Sequence, residues 1–93
     1  MKLSIIIPCY NEEGTIEEIL NKVIKFNLCK KEIIVIDDCS VDTSYEIIKK
    51  MSLIHNEINH FHLKKNLGKG GAIRCGIKEA TGDIILILFN NLN

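Results

Sequence analysis

The stretch that most restricts the fold of this chain is Lys31 to Asp42, KEIIVIDDCSVD. A short β-branched apolar run from Glu32 to Ile36 ends abruptly in two carboxylates, Asp37 and Asp38. Such a run between helical patterns belongs in a parallel sheet covered on both faces. The carboxyl ends of strands in such sheets are where ligands bind. The chain uses the same design earlier: Leu3 to Ile7 is apolar, stops at Pro8 and leads into Cys9-Tyr10-Asn11-Glu12-Glu13. Both strands are expected to deliver polar groups to one edge of one sheet.

The connecting segments read as helices. Ile16, Ile19, Leu20, Val23 and Phe26 recur at helical spacing, which predicts a helix from Glu13 or Thr15 to Phe26, with Thr15 and Glu18 as a capping box. Tyr45, Ile47, Ile48 and Met51 predict a second helix over Asp42 to Ser52, with Thr43 and Glu46 as another box. Ile58 to Leu63 alternates apolar and polar residues, as a strand near a sheet edge does. A glycine-rich turn, Lys64 to Gly71, precedes a third helical pattern through Ala72, Ile73, Gly76, Ile77 and Ala80. Gly76 costs that helix about 1 kcal/mol relative to alanine, which implies close packing against another element. Thr81-Gly82 ends the helix, and Ile84 to Phe89 forms a last strand. The expected fold is α/β: a Rossmann-like parallel sheet in the order 3-2-1-4 with helices on both faces.

Twelve basic and twelve acidic residues cancel, so nucleic acid is not an expected partner. No stretch reaches the roughly 18 apolar residues of a membrane span, and the opening apolar run is too short for a signal peptide. The four cysteines have no Cys-x-x-Cys spacing, so they are read as reduced thiols and the location as cytoplasmic. His60 and His62 share a strand face but have no evident third partner, so ordinary strand histidines are expected and no metal site.

The residues with chemistry in them lie at the strand ends. Asp37, Asp38 and Asp42 can accept hydrogen bonds from a base or a ribose or coordinate a metal, or Asp42 can only cap a helix. Gly68, Gly70 and Gly71 permit a close approach to phosphate, and Lys69 and Arg74 can neutralise it, Arg74 through a planar fork. The alternative is a tight glycine turn beside a solvated basic face. The segment is not a P-loop, because Gly70 rather than serine or threonine follows Lys69. No serine–histidine–aspartate or cysteine–histidine relay is discernible. A receiver domain would carry its acid pair after the first strand, whereas this pair follows the second.

Taken together, LSIIIPCYNEE (Leu3 to Glu13), IVIDDCSVDTS (Ile34 to Ser44), NLGKGGA with Arg74 and Gly76, and ATGD (Ala80 to Asp83) resemble the inverting family 2 glycosyltransferases. The closest flavour is the dolichyl- or polyprenyl-phosphate sugar transferase branch. That resemblance implies a GT-A fold, of which residues 1–93 would be the N-terminal, nucleotide-sugar-binding portion. It implies a UDP- or GDP-sugar as partner, with Pro8, Tyr10, Glu12 and Asp38 lining the nucleoside pocket and Asp37 beside it. Gly68, Lys69 and Arg74 would lie towards the ribose and diphosphate. Cys39 stands where the family usually has glycine.

The resemblance also implies Mg²⁺ or Mn²⁺ in complete relatives, held by an Asp-x-Asp motif after the last strand. Here Phe89 and Asn91 occupy those two positions, so no tightly bound metal is expected. The segment that would supply a general base to the acceptor lies beyond this stretch, so the chain by itself is expected to be inactive. The rival expectation is a non-enzymatic α/β module that self-associates through its open sheet edges or pairs with another polypeptide.

Overall fold

The computed structural model describes residues 1–27 and 29–90. The elements alternate as β1 (Lys2–Cys9), α1 (Ile16–Lys25), β2 (Lys30–Asp37), α2 (Ser44–Ile54), β3 (Ile58–His62), α3 (Gly68–Glu79) and β4 (Ile84–Ile87). All four strands are parallel and their order is β3-β2-β1-β4, as the sequence predicts.

Strand residues alternate between faces, and both faces of the central strands are apolar, so each needs cover. Ile5, Ile7, Ile33 and Val35 meet Ile16, Leu20 and Val23 of α1 and Ile48 and Met51 of α2. Ile6, Ile34 and Ile36 meet Ala72 of α3, with Phe61, Leu63 and Cys75 at its border. Each isoleucine buried in these layers contributes about 1.5–3 kcal/mol. Gly76 is where α3 comes closest to the sheet: a β-carbon there would lie 2.5 Å from Ile6 Cγ2. The helix thus gives up propensity for a backbone approach that no other residue allows.

The end of β1 and the start of α3 differ from those expected, each for a physical reason. Strand β1 does not stop at Pro8 but continues to Cys9, in register with β2 throughout. The carbonyls of Lys2 and Ile6 point towards β4 and that of Cys9 towards β2. By that alternation the N–H that Pro8 lacks would face β4, whose ladder with β1 has already ended at Ile6. The proline therefore costs no ladder bond. Second, the glycine-rich stretch is not a loop before a helix: α3 already begins at Gly68, which enters it with φ +81°.

Strand β4 is shorter than expected and its four residues are all exposed, between 36% and 46%. It lies at the sheet edge, paired on one side only. Among the described residues no helix is long and apolar enough to cross a membrane.

Candidate functional site

The winding of the sheet reverses between β1 and β4, so the carboxyl ends of the central strands form the crevice where ligands bind in open α/β sheets. Two loops build its rim, residues 10–15 after β1 and 38–43 after β2, and they are cross-linked. Asn11 N–H donates to Ser40 Oγ, Val41 N–H to Asn11 Oδ1, and Glu12 N–H to Ser44 Oγ, at 2.8–2.9 Å. Glu13 N–H donates to Asp42 Oδ2, while Thr43 gives both its N–H and its hydroxyl to Glu13 Oε1. Asn11 and Cys39 hold left-handed backbone, φ +51° and +65°, to make these turns. Hydrogen bonds from Ser44 and the Glu13 N–H outweigh burial and hold the Asp42 carboxyl below its usual range. Asp42 serves as a helix cap and a loop tie together.

Asp37 and Asp38 are both buried, yet they turn to different tasks. Asp37 Oδ2 accepts from Ser40 N–H at 3.0 Å and lies 2.8 Å from His62 Nδ1, while its Oδ1 is buried without a partner among the described residues. His62 in turn lies against the Tyr45 ring, centroids 4.2 Å apart, and His60 meets the same ring edge-on. Burial, with Lys49 nearby, lowers the His60 pKa. Asp38 instead reaches towards α3: its Oδ1 accepts the Leu67 N–H at 2.7 Å and its carbonyl accepts from the Asn66 side chain.

Above these groups lies a cleft of about 330 Å³, lined by Pro8, Cys9, Tyr10, Glu12, Asp38, Asn66, Gly68, Lys69 and Ala72. That is the low end of small-molecule sites. Glu12 is partly buried and receives a hydrogen bond from Asn90 Nδ2 at 3.1 Å; burial outweighs that bond and raises its pKa. Burial, with the carboxylates of Glu12 and Asp37 near, pushes the Cys9 thiol up strongly, so it is an inert part of the wall.

Of the residues singled out from sequence, the structure brings Pro8, Tyr10, Glu12, Asp38, Gly68 and Lys69 into this one cleft. It does not bring in Asp37, which braces the turn from below, or Arg74, which lines a neighbouring depression with Leu67, Gly71, Cys75, Ile77 and Lys78. Asn66 and Asn90 were not singled out. Asn66 stood inside the NLGKGGA motif, but Asn90, which bridges Glu12 and Thr15 across the sheet, left no local signal.

The model of glycosyl transferase family 2 matches residues 4–88. The chain belongs to this family. Poly-beta-1,6-N-acetyl-D-glucosamine synthase of Staphylococcus aureus (strain MSSA476) is 38% identical over 86 residues, 92% of this chain and 21% of that protein. The Staphylococcus epidermidis synthase is 35% identical over the same length. Among solved structures, S. aureus TarS 1-349 in complex with UDP-GlcNAc superposes with a TM-score of 0.84 at 33% identity, covering 96% of this chain and 26% of that one. The mannosyltransferase PcManGT from Pyrobaculum calidifontis, in complex with GDP-Man and Mn²⁺, gives 0.87 at 26% identity, covering 94% and 26%. The chain therefore spans about a fifth of the length of the curated relatives it matches, and its fold corresponds to about a quarter of these solved family 2 structures.

The resemblance to family 2 assigns a divalent metal to positions 89 and 91, and the residues there do not fit one. Phe89 offers no lone pair; its ring instead lies beneath the Lys69 ammonium, Nζ 4.8 Å from the centroid. Asn90 is turned into the fold, on Glu12 and Thr15. Asn91 lies outside the described residues. Among the described residues no three histidine, cysteine or acidic side chains converge as a metal site.

Proposed function

We propose that the cleft binds the nucleoside diphosphate part of a sugar donor, a UDP-sugar in preference to a GDP-sugar. The observation that carries this reading is the convergence of Pro8 at the end of β1, Tyr10 and Glu12 in the turn after it, Asp38 after β2 and Lys69 in the first turn of α3 on one cleft at the switch point. An exposed Tyr10 ring offers a stacking face, and the carboxylates of Glu12 and Asp38 offer acceptors for base N–H groups and ribose hydroxyls. The preference for uridine is supported by the TarS complex with UDP-GlcNAc, more identical to this chain than the GDP-Man complex.

Residues 1–93 are, on this reading, the donor-binding portion of a longer transferase domain, in a protein that is cytoplasmic or peripheral at a membrane. The whole domain would pass the sugar, with inversion, to a lipid phosphate or a growing glycan. The acceptor oxygen would displace the nucleoside diphosphate directly at the anomeric carbon. Residues 1–93 by themselves are expected to position a donor without turning it over. Titration of uridine, UDP and GDP, followed by amide chemical shifts, tests this. Millimolar binding with shifts confined to Tyr10 to Glu12, Asp38 and Asn66 to Lys69 is expected. No shift with any of the three at millimolar ligand would overturn the reading.

A second, compatible reading is favoured by the exposed apolar edge of β4 from Ile84 to Ile87, with Phe89 also 38% exposed. An unpaired apolar edge recruits another strand, so the chain is expected to self-associate or to pair with another polypeptide there. Light scattering that finds only monomer at high concentration would remove this second reading.

A further inference from the structure

We propose that this chain binds the diphosphate without a divalent cation, the Lys69 ammonium supplying the positive charge at the place where family 2 relatives are expected to hold their metal. The proposal rests on the nucleotide reading above and deepens it. Replacing a carboxylate by Phe89 does two things at one position. It removes a hard oxygen ligand that Mg²⁺ or Mn²⁺ would need, and it puts there a ring whose face attracts an ammonium. The structure shows the second consequence directly, with Lys69 Nζ 4.8 Å from the Phe89 ring centroid while Lys69 lines the cleft beside Gly68 and Asn66.

The charge is also available. Among the described residues no carboxylate lies within ion-pair distance of Lys69; the described lysine pairs join Lys2 to Glu32, Lys22 to Glu18 and Lys31 to Glu57. Had an aspartate stood at position 89, the ammonium would face a carboxylate and be neutralised by it. A phenyl ring holds the cation in place and leaves its charge for an anion. The two acids of the cleft each have one oxygen held within the fold, Glu12 Oε1 by Asn90 and Asp38 Oδ1 by the Leu67 N–H, and the Lys69 charge reaches Glu12 through space without forming an ion pair. One monovalent cation in place of a divalent one makes the interaction weaker and more sensitive to salt.

The test compares uridine with UDP, in EDTA and then in excess MnCl₂, by calorimetry on the whole chain. UDP is expected to bind about tenfold more tightly than uridine in EDTA, and manganese to change its Kd by less than about twofold. Lys69→Met should collapse the UDP-to-uridine ratio towards one, Lys69→Arg should restore it, and Phe89→Asp should lower metal-free UDP affinity by tying Lys69 into an ion pair. Circular dichroism verifies that each variant is folded; Lys69 is exposed, so its replacement leaves the core intact. Binding of UDP only with manganese, or a ratio unaffected by Lys69→Met, overturns the proposal. Equal binding of uridine and UDP overturns it while leaving the nucleoside reading in place. Loss of both ligands overturns the two together.

Discussion

The two rims of the sheet are built from similar residues and behave as opposites. At the amino rim Glu32, 8% exposed, places Oε2 where it accepts from the Ser4 hydroxyl at 2.6 Å and from the Thr81 N–H and hydroxyl, with Lys2 Nζ 3.7 Å from Oε1. Ser4 Oγ accepts the Gly82 N–H in turn, and the Lys2 N–H reaches Asp83. At the carboxyl rim Asp37 is buried more deeply, yet one of its oxygens has no partner among the described residues, and Asn11 and Cys39 hold left-handed backbone. Burial opposes the charge on both Glu32 and Glu12. Hydrogen bonds win at Glu32 and lower its pKa, whereas at Glu12 burial wins and the pKa rises. A satisfied polar network ties β1 to the turn between α3 and β4, while the unmet oxygen and the left-handed backbone fall in the turns that flank the cleft rather than in its lining.

The contrast is broken most severely at its stable end. Glu32→Ala leaves the Ser4 hydroxyl and both Thr81 donors facing one another without an acceptor, and is expected to lower unfolding free energy by about 3 kcal/mol in urea melts. The wild-type acid limb carries the same signature. With its pKa lowered on folding, Glu32 stabilises fully above the ordinary carboxylate range, and this is lost as pH falls through and below it. Glu12 has the opposite sign: protonation is favoured by folding, so its contribution is present below that range and fades as pH rises through it. Glu32→Gln should therefore flatten the acid limb of a plot of stability against pH; an unchanged limb would refute the assignment.

At the other rim the expected effects are smaller and fall on binding. Asp38→Asn keeps an oxygen for the Leu67 N–H but removes the charge, so uridine affinity should fall about tenfold, or about 1.4 kcal/mol, with the urea midpoint nearly unmoved. A large midpoint shift with intact affinity would make Asp38 a purely structural residue. The smallest effect is expected at Cys39, whose φ of +65° glycine adopts freely. Cys39→Gly should relieve about 1–2 kcal/mol of strain and return part of it as unfolded-state entropy, raising stability by about 0.5–1 kcal/mol. A fall in the urea midpoint would show that the Cys39 Sγ contact with the Lys64 carbonyl matters more than the backbone.

Several features were legible in the chain because their causes are local. Apolar runs of strand length, helical spacing of Ile16, Leu20 and Val23, and the terminator at Thr81-Gly82 fixed the elements, and the ordered motifs fixed the family. The capping boxes were misread for the converse reason. Neither Thr15 nor Thr43 caps its helix through its side chain. Thr15 Oγ1 accepts from Asn90 at 2.6 Å, and the Thr43 hydroxyl donates to Glu13, so partners distant in sequence outcompeted the local ones. Both helices start cleanly all the same, since Glu12 and Asp42 take over the first turns.

Sequence alone determined that the strands would be parallel, that β1 and β2 would bring Tyr10, Glu12, Asp37 and Asp38 to one edge, and that the side chain at position 89 carries no oxygen. Periodicity and side-chain chemistry act over a few residues and need no knowledge of the rest. Only the tertiary structure decided that Asp38 faces the cleft while Asp37 turns to His62, that Arg74 lies outside it, and that Lys69 settles on Phe89. Those choices depend on contacts between residues some twenty to eighty positions apart, which hydrogen-bond geometry and ring electrostatics select once the sheet has set the distances.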